Sequence, residues 1–100
     1  NCIKAWRGIG WCSFISQKHE QAMKYYEKII EQKPLAIDYM NAGHVAWVMG
    51  DIQKASVFYG KAITASGNRE RFLEMFHKDE EALLTQGIRE EYIPLMLDLL

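Results

Sequence analysis

At 100 residues, about half of them apolar and a quarter charged, the chain is long enough to bury one core without disulfide or metal staples. A formal net charge of −1, with acids and bases interspersed, lacks the basic face a nucleic-acid binder carries and argues against such a partner. No apolar run approaches the roughly 18–20 residues that a membrane span requires, so no membrane partner is expected.

The chain opens "NCIKAW", without an initiator Met or a signal-like segment, and reads as a piece of a longer protein. Apolar spacing predicts a first helix over about residues 3–16. Ten residues at a rise of about 1.5 Å would hold Cys2 and Cys12 about 15 Å apart, beyond the roughly 7 Å a disulfide spans. Cys12, set among apolar residues, is expected as a small buried hydrophobe. Unbridged thiols suit a reducing compartment, and a cytoplasmic location is the corresponding expectation.

Further helices are predicted over about residues 20–32, 36–49 and 53–65. Pro34 ends the second. Gly50 suits the left-handed residue that closes the third, and Asp51 can cap the fourth. Gly67-Asn68 ends the fourth. The first turn, "SQKHE", has no glycine to mark it.

These four helices form two copies of one pattern. Laying residues 3–35 over 36–68 without a gap places Gly10 on Gly43, Ala22 on Ala55, Tyr26 on Tyr59, Lys28 on Lys61 and Ile30 on Ile63. Trp6 falls on Tyr39, Phe14 on Trp47, Ile15 on Val48 and Tyr25 on Phe58. Glycine inside a helix costs roughly 1 kcal/mol against alanine. Gly10 and Gly43 are therefore expected where two helices approach closely, each opposite the small side chain of Ala22 or Ala55.

The residues Trp6, Ile9, Gly10, Ser13, Ala22, Tyr26 and Pro34, then Tyr39, Ala42, Gly43, Ala46, Ala55 and Tyr59, resemble the tetratricopeptide repeat. Ser13, Ala42 and Ala46 are smaller than the pattern asks, Gly67 stands where proline would, and the period of 33 is one residue short. The resemblance implies an all-α fold, a right-handed α-solenoid of helix hairpins. The first 68 residues would form two hairpins (3–35 and 36–68), and residues 69–100 a divergent helical cap in the same domain.

Within the cap, Asn68 can start a short helix carrying Phe72 and Phe76, and Asp79 can cap another that Gly87 stops. A last helix is predicted over about residues 89–100, with Pro94 near its first turn. Its segment "YIPLMLDLL" is apolar almost all round, which points either to burial within the chain or to self-association through residues 92–100.

Catalytic and cofactor signatures are missing: there is no phosphate loop, no H-E-x-x-H, and Gly8-Ile9-Gly10 lies on a helix rather than after a strand. His19, His44 and His77 lack ligand spacing, so neither a metal nor another cofactor is expected and no catalytic residue is assigned. His19-Glu20 reads as a solvated turn. The resemblance implies instead a concave groove, lined by the first helix of each hairpin, that holds an extended peptide or a partner helix. The candidate groove residues are Lys4, Arg7, Trp11, Met40, Asn41 and His44, a cationic and aromatic stripe at spacings of three and four. Phe14, Ile15, Trp47 and Val48, on the same stripe, are expected to pack between hairpins. Some relatives clamp a peptide carboxylate with Lys, Asn and Arg. Arg7 and Asn41 fit such a clamp, whereas Trp11 and His44 stand where it uses asparagine. The expectation is a non-catalytic protein- or peptide-binding module, with a structural or accessory segment docking through the last helix as the alternative.

Overall fold

Apolar residues at helical spacing fold the first two-thirds of the chain into two helix pairs. The computed structural model describes residues 2–100, which form α1 (Cys2–Ile15), α2 (His19–Ile30), α3 (Ala36–Val48), α4 (Ile52–Ser66), α5 (Arg69–Lys78), α6 (Glu80–Thr85) and α7 (Tyr92–Asp98). α1 packs on α2 and α3 on α4 as hairpins, α2 packs on α3, and α4 packs on α5. The result is an all-α solenoid in which each helix meets chiefly its neighbours. Its core runs from Phe14, Tyr26 and Ile29 through Met40 and Tyr59 to Phe72, Phe76 and Leu83.

The two hairpins turn by the same backbone geometry. Gly50 takes φ +90°, its amide donating to the Trp47 carbonyl (2.9 Å), while the Asp51 amide donates to Ala46 (2.9 Å). In the first hairpin the matching position is Gln17, at φ +64°, with Gln17 donating to Phe14 (3.0 Å) and Lys18 to Ser13 (2.8 Å). A residue with a Cβ pays about 1–2 kcal/mol for this left-handed conformation. The two hydrogen bonds that close the helix hold it there. Asp51 accepts from the Lys54 amide (3.1 Å), and Asn68 from the Arg71 amide (2.8 Å), as their sequence positions predict.

The mid-helix glycines have a different neighbour from the expected one. A Cβ on Gly43 would lie 2.7 Å from two ring carbons of Tyr59, and a Cβ on Gly10 would lie 3.1 Å from the ring of Tyr26. Each glycine makes room for a tyrosine ring of the partner helix, not for the methyl of Ala22 or Ala55. The alanines are fully buried and keep the same helices close elsewhere.

Four other expectations are corrected. Cys12 is exposed, as is Cys2, and both are free thiols. In α3 the residue at the equivalent position, Val45, is completely buried, because the first hairpin packs against α3, whereas no described residue covers that face of α1. Ile15 is 54% exposed for the same reason rather than packed between hairpins. Asp79 makes no capping bond to α6, its carboxylate being engaged elsewhere. The last helix is also shorter than expected, starting at Tyr92, which puts Pro94 in its first turn, where proline costs no hydrogen bond.

The two glycines differ in how far their tyrosines can yield. Gly43→Ala is expected to destabilise the chain by about 1–3 kcal/mol, the range for overpacking. Gly10→Ala should be near neutral, since a small ring shift is offset by the roughly 1 kcal/mol helix preference of alanine. Denaturant midpoints of the two variants check this order, and equal effects would refute the ring contacts as the reason for the glycines.

Candidate functional site

The six groove candidates separate into three environments. Arg7, on α1, makes a bidentate ion pair with Asp38 on α3: Nε donates to Oδ1 at 2.7 Å and Nη2 to Oδ2 at 2.8 Å. Asp38 is buried and also accepts from the Leu35 amide (2.8 Å), so one carboxylate both ties the hairpins together and receives the start of α3. The guanidinium is raised above its already high pKa, chiefly by the hydrogen bond to Asp38. Arg7 is thus committed to an internal partner and offers a ligand only its outer edge.

Met40 and His44 lie beneath the surface, 1% and 0% exposed. His44 contacts the rings of Tyr59 and Phe76 edge-on, at centroid distances of 5.4 and 5.5 Å. Its Nε2 is 3.0 Å from Asp79 Oδ2 and its Nδ1 is 2.6 Å from the Tyr59 hydroxyl. Burial pulls the imidazole below the ordinary histidine value, against the opposing hydrogen bond and charge of Asp79. A neutral ring facing a carboxylate carries its proton on Nε2, so Nδ1 accepts from the Tyr59 O–H. Burial, with the Asp79 charge as a lesser cause, keeps that phenol protonated. The relay Tyr59–His44–Asp79 is a structural network, for the tyrosine end is sealed from solvent.

The first hairpin has Trp11 where the second has His44. The Tyr26 hydroxyl consequently has no hydrogen-bond partner of normal geometry, and neither does the buried Oδ1 of nearby Asn41. Burial raises the Tyr26 phenol well above its usual range. Trp11 is half-buried beside Phe14, at 5.4 Å between ring centroids, and Lys4 is exposed.

The cap residues that reach this face were invisible to periodicity. Gln86, at the end of α6, donates to the Phe14 carbonyl (2.8 Å) and, more weakly, to that of Ile15 (3.4 Å). Its Oε1 accepts from His19 Nε2 (2.7 Å), so His19 is a tertiary anchor rather than a solvated turn. Trp47 borders a cavity of about 490 Å³ with Ile52 and the α7 residues Tyr92, Leu95, Met96 and Leu99. Only the approach of Phe76 and Asp79 to His44 could have been suspected, from Asp79 following an aromatic helix.

No group of three metal-ligating side chains occurs among the described residues, and no helix there is long and apolar enough to cross a membrane.

Arg7→Ala strips the buried Asp38 of its counter-charge and is expected to cost about 2–3 kcal/mol, more than Asp38→Asn, which leaves a half-exposed Arg7 free to turn to water. Urea unfolding of both variants measures the difference. His44 sets a pH dependence. Its folded pKa is depressed, so its contribution is complete above the unfolded value of about 6.5 and is lost as pH falls below it. Melting temperatures between pH 7 and 5 should fall more steeply for the parent chain than for His44→Gln, which gains no proton.

A profile of the tetratricopeptide repeat matches residues 3–34 and 39–69, the two hairpins. Neither a curated protein nor a solved structure gives a significant match. Repeats of this kind generally mediate protein–protein interaction and are typically non-catalytic. Two matched repeats, folded as hairpins with one shared turn geometry, make this chain a member of the tetratricopeptide-repeat family.

Proposed function

We propose that the chain is a non-catalytic interaction module whose ligand, a peptide or partner helix, lies along the open stripe of α1. The observation carrying this reading is the contrast between equivalent positions. Lys4 and Ile15 are exposed and Trp11 is half-buried, while Met40, His44 and Trp47 of α3 are covered. An aromatic flanked by lysine and the outer edge of Arg7 suits an apolar segment carrying a carboxylate. Of the residues singled out in the sequence, Lys4, Arg7 and Trp11 then act directly. Asn41 flanks them, and Met40 and His44 support the floor from below.

The apolar last helix supports a second reading. Tyr92, Leu95 and Leu99 are about half exposed or more, beside the cavity under Trp47 and Ile52, and suit self-association through residues 92–100.

A displayed peptide library separates the two. The parent chain is expected to enrich peptides with Asp or Glu near an aromatic or aliphatic residue, and Lys4→Glu and Trp11→Ala, each shown to be folded, should lose that enrichment. Undiminished enrichment by both variants refutes the α1 stripe. Mass that rises with concentration in sedimentation, abolished by Leu95→Glu, supports the second reading.

A further inference from the structure

We propose that residues 79–98 are a strap lying in cis across the concave face, from His44 of α3 to the end of α1, and that it marks the binding mode of an amphipathic partner helix which replaces it. The inference rests on the groove reading above and names the regulation and the ligand chemistry of that same surface. Three side chains of the strap point inward: Asp79 to His44, Leu83 into the core and Gln86 to the Phe14 and Ile15 carbonyls. Spacings of four and three put them on one face of α6, the pattern of a helix laid into a groove. The strap therefore reads out what the face accepts. A carboxylate meets the His44 N–H, an aliphatic side chain fills the Leu83 site, and a carboxamide two-thirds of a turn to one turn further on satisfies a carbonyl and His19.

The strap is also built to part from the rest. α6 and α7 have six and seven residues, lengths too short to hold as isolated helices, and Gly87 at φ +106° separates them. Leu84, Tyr92 and Leu95 are exposed and add little to its hold, which falls to the buried Leu83, Ile93 and Met96. Beyond Asp79 and Gln86, α7 is tied by the Arg69 guanidinium donating to the Leu97 carbonyl (3.0 Å). Short helices joined through a left-handed glycine mark a segment that opens below the global unfolding free energy.

Two measurements test this on the full chain. Native-state hydrogen exchange of the parent should show amides of residues 80–98 exchanging ahead of those of α3 and α4. Exchange of all of them in one global step overturns the proposal. A fluorescent peptide with the sequence of residues 78–100 should bind Leu83→Glu, or the milder Gln86→Ala, at least tenfold more tightly than it binds the parent. Each variant is first shown to keep α1–α5 folded. Equal binding by parent and variants also overturns it. A chain whose library enrichment through Lys4 and Trp11 is the same with and without the strap substitution keeps the groove reading and loses the strap.

Discussion

The ring of Tyr59 pressed against the bare backbone of Gly43 is the contact on which the rest of the molecule depends. It fixes the distance between α3 and α4, and any side chain at Gly43 would have to displace a ring that His44 holds by its hydroxyl and that the rings of Trp47, Phe72 and Phe76 surround. Phe72 and Phe76 belong to α5, so the same ring that spaces the hairpin also seats the cap. The first hairpin repeats the arrangement with Tyr26 on Gly10, at a slightly larger distance and without the hydrogen bond. Even the outer face follows the repeat. Lys28 sits over Trp6 and Lys61 over the equivalent Tyr39, at 5.6 and 6.0 Å, where cation–π attraction ties the start of each first helix to its partner.

The two copies have diverged where function and architecture separate. Replacing one residue of the stripe, Trp11 in the first copy and His44 in the second, decides whether the tyrosine hydroxyl below it is paired. In the second copy it is paired, at the cost of turning a groove position into core. In the first copy the phenol goes unpaired and the aromatic surface stays accessible. The hairpin with the better-satisfied interior is thus the one whose stripe is buried, and the less satisfied hairpin is the one whose aromatic stays accessible.

Most of the hairpin architecture was legible from residue spacing. Gly50, Gly67 and Gly87 stand at left-handed positions, Asp51 and Asn68 cap, and helix ends fall within one or two residues of expectation, because these features depend on local backbone chemistry. Gln17 escaped notice because nothing in its side chain advertises a positive φ; only its register against Gly50 does. The site was less legible. Arg7 carries the charge expected of a ligand clamp, yet Asp38 was already there to take it. Met40 and His44 stand at groove positions of the repeat but are buried, and His44 is covered by Phe76 and Asp79, whose approach follows no period. Cys12 and Ile15 went the other way, their apolar surroundings along the chain having no counterpart above them in space.

Gln86 touches the carbonyl of Phe14, a residue 72 positions earlier, and His19 meets the same side chain. A linear array whose units contact only their neighbours folds as a one-dimensional chain of semi-independent steps, with partly folded species set by the weakest junction. A bond from the last unit back to the first turns that open chain into a ring of couplings. While it is made, fraying of either end must break it, so the two hairpins share one cooperative transition and the curvature of the array is clamped. Once it is broken, the hairpins regain the freedom to flex about the α2–α3 junction, where the Arg7–Asp38 and Lys54–Glu27 pairs still tie them.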